Sequence, residues 1–300
     1  MRILVTDGMS KAGIAKLTAM GHEVVEQFYE PDALGEALQG FDCVVVRSKT
    51  KVRAKHIDEA AKGNLKLIIR GGVGVDNIDV EYAESKGISV RNTPRASSAS
   101  VAELALGHMF ALARYINISN VTTRQGKWNK KQYEGTEIAG KTLGLIGFGR
   151  IAQELAWRAH ALGMKVVYYD IFAKDGFANY TAMSLEELLK VSDYVSLHIP
   201  MPADKKPVLA EAELALMKPT AFLINAARGG VVSEKALLSA LKEGKLAGAA
   251  LDVFEEEPTT NMELCNLDNV SITPHIGGQT AEAQDRIGDE IVSIISDFCG

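Results

Sequence analysis

Short runs of apolar, β-branched residues alternate with segments of helical spacing along the whole chain. Arg2–Thr6 reads as a strand, and Lys11–Met20 as a helix with Ser10 placed as its N-cap and Gly21 as its C-cap. Asp42–Val46, Lys66–Arg70 and Ile88–Val90 repeat the strand signal. Further on, Thr142–Gly147, Lys165–Tyr169, Asp193–Leu197, Ala221–Asn225, Ala247–Asp252 and Val270–Thr273 do the same. Apolar strands separated by helices predict parallel sheets covered on both faces. The expected fold class is therefore α/β, with two doubly wound parallel-sheet domains.

A break is expected near Asn92-Thr93-Pro94, because proline disfavours the helical region in the residue before it. The pattern Ser100-x-x-Glu103 then reads as a capping box opening a helix to about Arg114. That helix is apolar around most of its circumference, so it is expected in a core or a subunit interface. Ala281–Cys299 reads as a last amphipathic helix. The expected division is a first domain, residues 1–94 plus 281–300, and a second, residues 95–280; the return of the last helix to the first domain is not itself fixed by these signals. A length of 300 residues fits two domains.

Lys and Arg number 33 against 38 Asp and Glu, a net charge of −5, which gives no general attraction to nucleic acid or anionic lipid. An anionic ligand would need a local basic site. Cys43, Cys265 and Cys299 are far apart and form no C-x-x-C, so they read as thiols of a reducing compartment, with no metal site expected. The first residues reach Asp7 too soon for a signal-peptide core, and the apolar stretch Val101–Ala113 is too short to span a bilayer. A cytoplasmic location is the expectation.

The clearest chemical signal is Gly147-Phe148-Gly149-Arg150-Ile151-Ala152, placed between a strand and a helix. A second strand then delivers Asp170, 23 positions after Gly147. This is the dinucleotide-binding pattern in its required setting. Gly147 permits the tight turn, Gly149 lets backbone approach a pyrophosphate, and Ala152 allows close helix–strand packing. The helix N-terminus offers N–H groups and partial positive charge to phosphates. Asp170 suits a ribose 2′-OH and repels a 2′-phosphate, which favours NAD over NADP. Gly71-Gly72-Val73-Gly74 lacks the third small residue and the terminal acid, and reads instead as a loop presenting backbone amides.

Ligands of open parallel sheets bind beyond the C-terminal strand ends. Arg228, Glu257 and His275 all lie just past such ends in the half that carries the fingerprint. Taken singly, each reads more readily as a loop, surface or structural residue. Together they suit hydride transfer at a 2-hydroxy acid: Arg can hold a carboxylate and polarise the carbonyl, His can exchange the hydroxyl proton, and Glu can orient the His.

These segments resemble the D-isomer-specific 2-hydroxyacid dehydrogenase family over nearly the whole chain. The resemblance rests on Gly147–Ala152, Asn225-x-x-Arg228-Gly229, Leu251-Asp252-Val253-Phe254-x-x-Glu257-Pro258 and Thr273-Pro274-His275. It implies a Rossmann NAD-binding domain, a flavodoxin-like substrate domain, and Arg228, Glu257 and His275 as the catalytic set. It also implies cofactor contacts at Arg150, Ile151, His198, Ile199, Pro200, Ala226, Asp252, Gly277 and Gly278. The substrate carboxylate would rest on the backbone of Gly72, Val73 and Gly74. A homodimer is implied, with the helix from Ser100 to Arg114 and the segment up to Gly140 in its interface.

Val46-Arg47-Ser48, Arg70–Asn77, Gly126-Lys127-Trp128 and Gly135–Gly144 resemble the branch that oxidises D-3-phosphoglycerate. A phosphorylated 2-hydroxy acid needs cations, for which Arg47, Arg70 and Lys130 are the candidates; Arg47 and Lys130 read equally as exposed charges. Some positions depart from the pattern: Lys130 stands where Arg is expected, Gln279 where Ser is, and Lys205-Lys206-Pro207 replaces a Thr-containing run. The sequence ends at Gly300, where many relatives carry a serine-binding regulatory domain; if the chain is complete there, that control is expected to be absent. Glyoxylate, hydroxypyruvate or D-lactate is the alternative substrate class. A non-catalytic NADH-sensing protein is the alternative of another kind.

Overall fold

A computed structural model describes residues 1–172 and 179–300. The chain divides into two compact units, Met1–Ser97 with Gly278–Gly300, and Ser98–Gly277.

In the first unit, β1 (Arg2–Val5), α1 (Lys11–Ala19), β2 (Glu23–Glu26), α2 (Pro31–Leu38), β3 (Cys43–Val46), α3 (Ala54–Ala60), β4 (Leu67–Arg70), α4 (Val80–Ser85) and β5 (Ser89–Asn92) alternate. Ser10 caps α1 through its hydroxyl, which accepts from the Gly13 N–H. All described pairings are parallel, in the order β2-β1-β3-β4-β5, the flavodoxin-like arrangement. Leu4, Val44 and Ile68 face one core while Ile3, Val45 and Ile69 face the other. The C-terminal helix Ala281–Cys299 covers the second face with Ile287, Ile291 and Ile295. It approaches α1 closely because Gly13 and Gly288 oppose each other: a Cβ on Gly13 would lie 3.2 Å from the Gly288 Cα.

The second unit opens with α5 (Ser98–Ala113) and α6 (Ile116–Arg124). β6 (Thr142–Ile146), α7 (Arg150–Ala161), β7 (Lys165–Tyr169), β8 (Thr181–Ala182), α8 (Leu185–Val191) and β9 (Tyr194–Leu197) follow. α9 (Glu211–Leu214), β10 (Phe222–Asn225), α10 (Glu234–Lys242), β11 (Gly248–Leu251), α11 (Met262–Cys265) and β12 (Val270–Ile272) complete it. Among the described residues the sheet is parallel with order β12-β11-β10-β9-β6-β7-β8, the doubly wound Rossmann order extended by one strand. Its reversal point lies between β6 and β9.

Three details differ from the sequence reading. α5 starts at Ser98, so Ser100 is no N-cap; it is buried within the helix, and Glu103 pairs with Arg158 of α7 at 3.0 Å. The helix begins earlier, at Ser98, which is already buried one turn before the core residue Ala102. β2 and β8 were not read as strands, since one is flanked by glutamates and the other is two residues long. No helix among the described residues is long and apolar enough to cross a membrane.

Candidate active site

The dinucleotide fingerprint forms the turn from β6 into α7. Gly147 has φ +84°, open to glycine without strain, and a Cβ there would lie 2.7 Å from the His198 carbonyl oxygen. At Gly149 a Cβ would meet nothing within 4 Å, so the turn leaves space in front of α7. Gly149 is the N-cap and supplies no side chain, which leaves the first N–H groups of this 12-residue helix to a ligand. Arg150 is exposed on the first turn, Ile151 is half-buried, and Ala152 is fully buried against the sheet. The Asp170 carboxylate accepts the Phe148 N–H at 2.6 Å and the Phe172 N–H at 2.7 Å, tying the turn to the end of β7. A carboxylate oxygen accepts more than one hydrogen bond, so this role is compatible with holding a ribose hydroxyl.

His198, Ile199 and Pro200 follow β9 on the other side of the reversal point. Burial pushes the His198 imidazole down to about 4, so it is neutral. Its Nε2 meets Ser196 Oγ at 2.9 Å, while its Nδ1 is buried with no partner among the described residues. The open space at Gly149, the uncapped helix terminus and this orphaned nitrogen all fit a bound dinucleotide.

Arg228, Glu257 and His275 are brought together by three loops. Asn225, at the end of β10, folds its side chain over the first loop, its Oδ1 accepting the Ala227 N–H and its Nδ2 donating to the Arg228 carbonyl. Gly229 lets that loop touch the next one, because a Cβ there would overlap the Phe254 carbonyl. Glu257 accepts the Phe254 N–H at 3.1 Å on one oxygen and His275 Nδ1 at 2.7 Å on the other. Burial alone would raise the Glu257 carboxyl. The His275 hydrogen bond and charge, the Phe254 N–H and the Arg228 charge outweigh it and hold the group below the usual carboxylate range. His275 itself has φ 54°, a left-handed conformation, and its side chain is 39% exposed, so solvent or substrate can reach the ring.

Asp252 lies beneath this group, 1% exposed. Its Oδ1 accepts from Thr273 Oγ1 and the Ile276 N–H, and its Oδ2 from the Gly277 N–H. Ala226 is buried beside Asn225, and a Cβ on Gly277 would lie 3.0 Å from Asp252. Gly278 is grouped with the first unit.

In the first unit, Arg47 follows β3 and Arg70 ends β4, neighbouring parallel strands in which Val46 pairs with Arg70. Asp7, after β1, holds this corner by accepting the Arg47 N–H at 2.7 Å, the Thr50 N–H at 3.0 Å and the Thr50 hydroxyl at 2.6 Å. Burial lowers the Arg47 guanidinium and Asp7 opposes the shift. Gly72 has φ +147° and lacks the Cβ that would overlap Arg70 Nη1. Val73 and Gly74 continue the turn, with the Val73 carbonyl accepting from Asn92. Lys130 is exposed on a 3-10 turn of the second unit.

The sequence reading quoted Asn225, Gly229 and Thr273 only as parts of motifs, without a structural role, and passed over the buried His108. The Asn three residues before Arg228 was a visible Asx-turn signal. His108 had no local signal, because its partners lie 163 and 165 positions away.

Residues 106–277 match the family model described as D-isomer specific 2-hydroxyacid dehydrogenase, NAD binding domain. A hydroxypyruvate reductase of Thermotoga maritima is 46% identical over 298 residues, covering 98% of this chain and 97% of that protein. A D-3-phosphoglycerate dehydrogenase of Methanocaldococcus jannaschii is also 46% identical, over 292 residues; this chain is matched over 96% of its length but spans only 55% of that relative. A solved structure from Thermus thermophilus superposes with a TM-score of 0.89 at 37% identity, covering 97% of this chain and 94% of that one.

Proposed function

The chain belongs to the D-isomer-specific 2-hydroxyacid dehydrogenase family, with NAD as cofactor, and from that premise we propose that it interconverts D-3-phosphoglycerate and 3-phosphohydroxypyruvate. The 2.7 Å Glu257–His275 pair beside Arg228 carries the chemical part of this reading. Glu257 holds the Nδ1–H of His275, which leaves Nε2 as the nitrogen that exchanges a proton with the C2 oxygen. The same carboxylate favours the imidazolium formed when His275 takes the hydroxyl proton during oxidation. Arg228 is assigned to the C1 carboxylate and C2 oxygen, where its planar fork suits two oxygens at once. When bound, NAD would supply the hydride acceptor for C2, and NADH the donor in the reverse direction. Gly147, Gly149, Arg150, Ile151, His198, Ile199, Pro200 and Ala226 are assigned to the cofactor, as are Asp252, Gly277 and Gly278, with Asp170 on its ribose.

The phosphate is assigned to Arg47 and Arg70, at the ends of the neighbouring strands β3 and β4, with Lys130 as a further cation. The backbone of the Gly72–Gly74 turn is assigned to carboxylate oxygens. A homodimer through the Ser100–Arg114 helix and the following segment, in the cytoplasm, completes the proposal. A second reading, reduction of unphosphorylated hydroxypyruvate or glyoxylate, is favoured by the full-length match to the Thermotoga reductase. Steady-state assays decide between them. NADH formation from D-3-phosphoglycerate, with product trapped, is compared with reduction of 3-phosphohydroxypyruvate, hydroxypyruvate and glyoxylate. A higher kcat/KM for the phosphorylated pair is expected; higher values for the unphosphorylated acids would install the second reading. His275→Gln is expected to lower kcat by about 10²–10⁴-fold in either case. Stoichiometric NADH binding without turnover on any of these acids would leave the sensor reading.

A further inference from the structure

Another histidine in the same unit has no part in the chemistry above. His108, on α5, is 4% exposed and engages both ring nitrogens: Nδ1 lies 2.7 Å from Ser271 Oγ, and Nε2 lies 3.1 Å from Thr273 Oγ1. Asn117 Nδ2 reaches the same Ser271 Oγ at 2.5 Å. Thr273 Oγ1 meets Asp252 Oδ1 at 2.6 Å, and Asp252 holds the Ile276 and Gly277 N–H groups, each at 2.8 Å. An unbroken chain of hydrogen bonds thus runs from α6 through α5 to the loop that carries His275.

The chemistry of its two ends fixes the direction of every proton. A side-chain amide nitrogen only donates and a carboxylate only accepts. Thr273 has one hydroxyl proton and gives it to Asp252, so it must accept from His108 Nε2–H. The Nδ1 lone pair of His108 then accepts from the Ser271 hydroxyl, which in turn accepts from Asn117. All the bonds point toward Asp252, an arrangement in which neighbouring hydrogen bonds strengthen one another. Burial lowers the His108 imidazole against the opposing charge of Asp252, in keeping with a neutral ring.

We propose that His108 is a positioning residue for His275, acting through Thr273 and Asp252 on the segment Thr273–Gly277. The segment needs such support because His275 has φ 54°, a conformation that a residue with a side chain holds only when its surroundings impose it. The two N–H groups clamped by Asp252 belong to the residues directly after His275. Thr273, on its other side, takes the His108 bond and also accepts the His275 N–H through its carbonyl at 3.1 Å. This inference rests on His275 being the acid–base group.

The test compares His108→Met, which keeps volume but removes both hydrogen bonds, with His108→Gln, whose amide nitrogen restores a donor near the Nε2 position. With NADH and the better 2-oxo acid, His108→Met is expected to lower kcat by about tenfold with KM within about twofold, and His108→Gln to recover most of that loss. The imidazole 15N spectrum of the wild-type protein is expected to show His108 protonated on Nε2 alone. Unchanged kcat in His108→Met, equal losses in both variants, or a proton on Nδ1 would each overturn the proposal. Should His108→Met fail to fold, Thr273→Val cuts the chain one link later at nearly constant shape and is read by the same kcat criterion. His275→Gln separates the two levels. If it keeps turnover, the acid–base reading fails and takes this one with it; if it is inactive while His108→Met is fully active, only the positioning role fails.

Discussion

Two glycine-rich turns, each leaving the end of a parallel strand, are put to opposite uses in this molecule. Gly147–Gly149 leads within three residues into the 12-residue helix α7, whereas after Gly71–Gly74 no helix begins until Val80. Each contains a glycine at positive φ, +84° at Gly147 and +147° at Gly72. The space that their missing side chains leave differs. Nothing lies within 4 Å of a Cβ on Gly149, while a Cβ on Gly72 would overlap the guanidinium of Arg70. In one turn glycine keeps room in front of a helix terminus for a ligand's phosphates. In the other it makes room for a cation of the protein's own, so this turn offers fixed charge where the first offers amides and a dipole.

Substitutions at the two turns should therefore fail differently. Gly147→Val, forced into a left-handed conformation and against the His198 carbonyl, is expected to destabilise the fold by roughly 2–4 kcal/mol and to abolish NADH binding. Urea denaturation and nucleotide fluorescence measure the two effects; retained NADH affinity would show that this is not the cofactor's turn. Gly72→Ala displaces Arg70, so KM for the anionic substrate should rise about ten- to a hundredfold while the NADH dissociation constant holds, since one charged hydrogen bond is at stake. The reverse pattern would erase the contrast between the turns.

Asp170→Ala sharpens the cofactor side. It removes a negative charge from the ribose position, and the preference for NADH over NADPH in kcat/KM should fall roughly tenfold or more. An unchanged ratio would place the selectivity elsewhere. The smallest effect concerns Glu257, whose carboxyl is held below its unfolded range near 4.5 by His275, Phe254 and Arg228 against the opposing pull of burial. A depressed carboxyl contributes stability that is complete above the unfolded value and disappears as pH falls through the folded one. The stability gap between wild type and Glu257→Gln should thus shrink between about pH 5 and pH 3, by less than about 1 kcal/mol because the group is more than a third exposed and screened. A gap constant across that range would remove the linkage.

Legibility followed the range of the interactions. The fingerprint was readable because its parts act within one strand–turn–helix unit, down to the acid on the next strand. Arg228, Glu257 and His275 were readable only as a coincidence of three loops after three strands, since each is an ordinary loop residue on its own. Ser100 misled because a capping pattern names residue types and not where the chain becomes buried: the helix already starts at the buried Ser98. Asp252 was expected at the cofactor, and the hydrogen bonds that it makes in the structure hold the His275 loop.

What the sequence by itself determined was the alternation of strands and helices, the nucleotide turn and the residue types of the chemistry, because propensity, periodicity and glycine placement act over a few residues. The tertiary structure alone decided which strand ends are neighbours, that Gly229 lets two loops touch, and that His108 and Asn117 reach Ser271 across 163 and 154 positions. Those contacts depend on a sheet order in which β10, β11 and β12 are neighbours and on α5 packing across them. No local pattern encodes them, because their free energy is gained only when the layers close and buried polar groups must find partners.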